Sequence, residues 1–120
     1  MKNTTICIQY EERFGETTGS TAINLPAYIE ETPITKMRSF FKLAAQYAHR
    51  FDNAGEILKL EAYLTTAIKE AEQAAEAAKT MDAKPAVKKA EIERAERWLT
   101  KVQKARDALA DTLSKTKPKR

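Results

Sequence analysis

Arg94, Arg97, Lys101 and Lys104 recur at 3-4-3 spacing late in this 120-residue sequence. On a helix that spacing forms one stripe, and a stripe of cations is the chemistry of phosphate-backbone contact. Lys84 and Lys88 extend the candidate anionic-partner surface toward an earlier turn. The same spacing also suits a solvated helix face, with Glu93 placed to pair with Arg97 at i,i+4. Trp98 and Tyr63 are a second candidate set, since aromatic side chains beside arginine are typical anchors of protein interfaces.

Covalent and metal chemistry have few residues to work with. His49 is the one histidine and Cys7 the one cysteine. A zinc site needs four ligands, and a Cys-His nucleophile pair needs an orienting third group. His49 stands near an expected helix end, where a polar or cationic residue suits the helix dipole. Gly15 and Gly19 have no Lys-Ser/Thr following, so they make no phosphate loop. The adjacent carboxylates Glu11-Glu12 and Glu30-Glu31 fall at expected strand ends and read as solvated. The sequence therefore offers no catalytic, cofactor-binding or metal residues, and the expectation is a protein that is not an enzyme.

The elements that must position these residues follow from periodicity. Ile6, Ile8 and Tyr10 alternate on one face of a strand, and Thr21–Leu25 can pair with it, ended by Pro26. Gly15 to Ser20 reads as a mobile loop between them. A lone hairpin is marginal in water, so its apolar face needs a helix. Thr32-Pro33 reads as an N-cap and first helical position for an amphipathic helix of about 18 residues carrying Met37, Phe40, Phe41, Ala44, Ala48 and Phe51. Asn53 with Glu56 three places on resembles a capping box for the next helix.

Two heptad series then follow. Ile57, Leu60, Leu64, Ala67, Ala71, Ala74, Ala78 and Met81 form the first. Ile92, Ala95, Leu99, Val102, Arg106, Leu109 and Leu113 form the second. Between them, Asp82 and Pro85 mark a short connector with Asp82 as N-cap. The spacing predicts two helices folded back antiparallel, packed knobs-into-holes. Partners then sum to roughly 165 in residue number, placing Ala67 opposite Trp98. Alanine along this seam lets the backbones approach closely but buries little area, so the tip is expected to be thin and the weaker end. Ala75 falls on the outward side of this register.

The fold class expected is α+β, mostly α. Residues 1–52 form a β-hairpin plus amphipathic helix, 53–114 a coiled-coil-like helical hairpin packed on it as one domain, and 115–120 a disordered basic tail. The net charge of +4 is carried by the second half, where fourteen Lys/Arg face ten Asp/Glu against seven of each in residues 1–60. No apolar run has the length of a membrane span or a signal peptide, and the single cysteine fits a reducing cytoplasm.

A scaffold without a catalytic pocket but with a protruding arm suits binding of a larger protein. The leading expectation is a non-enzymatic protein-binding module, an adaptor or a small inhibitor. Its size and lack of sites parallel the inhibitors that phages and mobile elements encode against host defence enzymes. The alternatives are a nucleic-acid-binding accessory protein using the basic face of the last helix, and a self-associating structural coiled coil.

Overall fold

The computed structural model describes residues 4–12, 17–48, 51 and 53–116. His49, Gly15 and the last four residues of the basic tail lie outside them. The chain order is β1 (Thr5–Glu12), β2 (Thr17–Asn24), α1 (Leu25–Glu31), α2 (Ile34–Gln46), α3 (Ala54–Thr80) and α4 (Pro85–Lys115). The architecture is α+β and mostly α, drawn out to 59 × 22 × 22 Å by the long α3–α4 hairpin.

β1 and β2 pair antiparallel with Ile6 opposite Ile23 and Ile8 opposite Thr21. The alternation holds: Ile6 and Ile8 are buried, while Thr5, Cys7 and Gln9 face solvent. β2 begins at Thr17, so the second half of the expected loop is strand. The β-branched threonines favour the extended ladder and outweigh one glycine within it.

α1 departs from the sequence expectation. Pro26 does not merely end β2: it sits in the first turn of a seven-residue helix whose N-cap Asn24 accepts from the Ala27 N–H at 3.4 Å. Proline is at home there because its missing N–H would be unpaired anyway. Thr32 closes α1 rather than opening the next helix, and Glu30-Glu31 lie at a helix end rather than a strand end. α2 starts at Ile34 behind Pro33, with no side-chain cap, and is 13 residues long rather than about 18. It stops because the chain turns back at Tyr47, whose buried ring lies 5.7 Å from that of Phe51. The Ala54 N–H then bonds the Ala48 carbonyl at 3.2 Å as α3 begins.

The Asn53-Glu56 pair does something other than cap α3. Asn53 makes no side-chain cap bond. Its carboxamide instead accepts from the Gln9 N–H at 3.1 Å and donates to the Gln9 carbonyl at 2.8 Å. One turn on, Glu56 accepts from the Cys7 N–H at 3.0 Å. The two side chains thus occupy the outer edge of β1, which would otherwise present unpaired backbone groups. The capping-box spacing placed both on one side of the first turn, and the strand edge competes successfully for them.

The helical hairpin forms as expected, with a connector of Met81–Lys84 and Pro85 in the first turn of α4. Asp82 does not cap, since Lys84 holds the cap position and makes no side-chain bond. Leu60, Leu64, Ala67 and Ala71 are buried as the heptad predicts. Beyond them the seam departs from the strict heptad at one position: Ala75 is 6 % exposed while Ala74 faces outward, and Ala78 is buried as expected. A straight helix drifts about 20° per heptad against a 3.5-residue repeat, so after two heptads Ala75 rather than Ala74 falls on the buried line. On α4, Val102 and Leu109 are buried as expected, but so are Ala105 and Ala108, and Arg106 is exposed. The base of α4 packs on α2 as well as on α3 and α1, which demands a wider apolar face than a two-helix seam. Small residues at Ala105 and Ala108 let α2 come close.

The main core gathers Ile6, Leu25, Ile29, Met37, Phe41, Leu60, Leu64, Val102 and Leu109, with Ile8, Ala44, Ala48 and Ile57 in a second cluster. The large side chains are all at the base. Past Trp98 the buried contribution of α3 comes from Ala71, Ala75 and Ala78.

Candidate functional site

The sequence pairs Trp98 with Tyr63, and the structure separates them. Tyr63 is only 9 % exposed and belongs to the main core. Burial raises its phenol pKa, with the Glu70 charge adding to the shift. Tyr63 borders a surface hollow with Ala62, Thr66 and Ala67 of its own helix and Thr4 at the start of the chain.

Trp98 is half-buried and lines a groove of about 350 Å³. One wall is Ala74 and Ala78 of α3, the other Ala95 and Trp98 of α4, and Pro26 and Glu30 of α1 close the base end. The same drift that turns Ala75 inward turns Ala74 out to this wall. The indole packs on the core while its N–H finds no acceptor among the described residues. A buried donor left unpaired costs about 1–3 kcal/mol. Arg94 stands on the groove and pairs with Glu91 at 3.7 Å. Along α4, Val87, Glu91, Arg94 and Trp98 follow at 4-3-4 spacing, so Val87, 50 % exposed, continues the same face toward the tip.

The four-residue basic stripe also divides. Arg94 belongs to the Trp98 groove. Arg97, Lys101 and Lys104 lie on the next flank of α4, beside Ile34 and Met37 of α2, rather than on a wholly outward face. Lys101 is half-buried and donates to the Glu30 carbonyl at the C-terminal end of α1, where a cation suits the helix dipole. The expected Glu93–Arg97 pair does not form. Among the described residues Arg97 and Lys104 make no ion pair. Lys84 and Lys88 are at the tip, away from both surfaces.

Cys7 is exposed on the outer face of β1. Among the described residues, no group of three His, Cys, Asp or Glu is placed to hold a metal ion. None of the described helices is long and apolar enough to cross a membrane. The sequence missed the contribution of α2 to the basic flank. Its signal was present in Lys36, Arg38 and Lys42, with no acidic residue anywhere in the helix. Compared with known protein families, curated proteins and solved structures, the chain matches none.

Proposed function

We propose that this chain is a non-enzymatic protein-binding module, an adaptor or small inhibitor, that receives an amphipathic helix of a larger partner in the Trp98 groove. The observation that carries the reading is the continuity of that groove. α1 packs on α4 and closes the base end with Pro26 and Glu30, and the groove runs on along α4 from Trp98 to Glu91. Those eight residues span roughly 10 Å, about two helical turns. Its walls are alanine, which lets another helix backbone come close. An indole without a hydrogen bond can reorient when a partner supplies an acceptor, and Trp with Arg is the usual composition of an interface hot spot.

The test is capture from the native host, with nuclease treatment, followed by substitution. Ala74→Arg fills the groove from an exposed position and should abolish capture while leaving the melting curve unchanged. Leu58→Arg, at a residue 64 % exposed on the base of α3, should leave capture intact. A photo-cross-linker in place of Arg94, which is exposed on the groove, should join a helix of the captured protein. Equal capture by the wild type and Ala74→Arg would remove the reading. Cross-links to a second copy of this chain would instead establish the self-associating alternative.

A further inference from the structure

We infer that the cleft between α2 and α4 is a binding site for the phosphodiester backbone of nucleic acid, formed by cations from two helices. It lies on a different flank of α4 from the Trp98 groove, and stands independently of the function proposed above. One wall is Arg97, Lys101 and Lys104, and the floor is Ile34, Met37 and Thr100, enclosing about 300 Å³. α2 runs in the same direction as α4 here: Ile34 and Met37 lie beside residues 97–104, while Ala44 and Ala48 pack near Leu113. Arg38 and Lys42 stand four and eight residues on from Ile34, so they continue the opposite wall on the same flank. Both are exposed.

Three features set this cleft apart from a solvated basic face. The cleft is made by two packed elements, with its lining cations Arg97, Lys101 and Lys104 on α4 and its apolar floor from α2, and helical spacing sets Arg38 and Lys42 further along the α2 rim. They are not neutralised: among the described residues Arg38, Lys42, Arg97 and Lys104 make no ion pair. Among the described residues the acidic side chains beside it on α4 make no ion pair with these cations: Glu93 and Glu96 share an adjoining hollow with Arg97 and Thr100, and Asp107 follows Lys104 by three residues. Lys101 is tethered to the Glu30 carbonyl and so is held on the wall before any ligand arrives. Along α4 the three cations rise by roughly 6 and 4.5 Å. They form a linear array suited to successive phosphates rather than to one isolated anion. Arg97 on the wall favours phosphate oxygens, which a guanidinium meets with two parallel N–H bonds.

The experiment is anisotropy titration of the full chain against a labelled DNA duplex and the matching single strand, across about 50 to 200 mM salt. About four phosphate contacts give a log-log slope near −3.6 on duplex, a loss on the order of a hundredfold over that range. The triple substitution R38Q/R97Q/K104Q, at exposed and unpaired positions, should weaken binding at least about tenfold and flatten the slope by about 2.7. The triple K84Q/K88Q/K89Q removes the same charge at the tip and should weaken binding less than about threefold. Whichever of the two strands binds more tightly identifies the form of nucleic acid the cleft takes. Absence of wild-type binding to either at the lowest salt would overturn the inference. So would equal losses in the two triples, because net charge alone would then account for binding. Comparable binding of polyglutamate would also overturn it, by showing that the cleft reads negative charge and not phosphate.

Discussion

The carboxamide of Asn53 meets the peptide group of Gln9 edge to edge, accepting at 3.1 Å and donating at 2.8 Å across 44 residues of sequence. It mimics one residue of a neighbouring strand, and it is 1 % exposed. Replacing it by alanine leaves one donor and one acceptor of Gln9 unpaired. Asn53→Ala should therefore destabilise the chain by about 2–4 kcal/mol, seen as a lower urea midpoint with unchanged slope. Asn53→Asp keeps the acceptor and sets an anion against the Gln9 carbonyl, so it should recover little of the loss. The variant that opens this edge should also aggregate more readily on concentration.

Glu56 makes the neighbouring contact titratable. The Cys7 N–H, opposed in part by desolvation and helped by Lys59 at 3.1 Å, lowers its carboxyl pKa below the ordinary 4.5. A folded-state pKa below the unfolded one means stability present above about 4.5 and lost as pH falls through the folded value. Urea melts of the wild type and Glu56→Gln across pH 7 to 2 should therefore converge at the acid end. The glutamine still accepts the Cys7 N–H but has no proton to gain there. A gap between the two that stays constant with pH would show that Glu56 is not linked to folding.

The two kinds of alanine on α3 should respond to different degrees. Ala71 and Ala75 are buried between the helices, so leucine at either overpacks and should cost about 1–3 kcal/mol. Leucine at exposed Ala77 should change stability by no more than about half a kcal/mol. Denaturant melts of the three variants check this directly, and a stabilised Ala75→Leu would mean that the helices stand apart at that level.

Trp98 reports on its own surroundings, being the one tryptophan in the chain. Its fluorescence should be blue-shifted and only partly quenched by acrylamide. Trp98→Phe should be nearly neutral for folding, within about 1 kcal/mol, because the indole N–H has no hydrogen bond to lose. The same change should weaken partner capture, which separates the role of the residue in binding from its role in the fold.

The elements legible in the sequence were those with a long period. Ile57 to Ala71 and Val102 to Leu109 announced the hairpin, and Ile6 with Ile8 announced β1. What the sequence concealed was decided by competition between neighbours. Pro26 ends a strand or begins a helix with equal propriety, and only the Asn24 cap and the need to bury Leu25 and Ile29 decide it. Ala74 and Ala75 are chemically identical, so their assignment rests on accumulated helical phase rather than on residue type. Trp98 was visible as a candidate anchor because tryptophan beside arginine stands out in a charged helix. Tyr63 looked equivalent until packing placed it inside. The cleft between α2 and α4 was illegible for a different reason. Its two walls are some sixty residues apart, and no local pattern says that α2 will lie along α4.

The connector of Met81–Lys84 also has a kinetic meaning. Contacts between α3 and α4 close the shortest loops at the tip and progressively longer ones toward the base, whereas β1 reaches its partners on α3 only across more than forty residues. Chain closure becomes dearer with loop length, so the hairpin can zip from its turn while the strands still wander. Yet the tip, first to meet, fully buries only alanines, with Met81 and Ile92 half-buried beside them, and retains least. The arm should thus be assembled from the end that later opens most often, with its slowest-exchanging amides far away around Leu60, Leu64 and Val102.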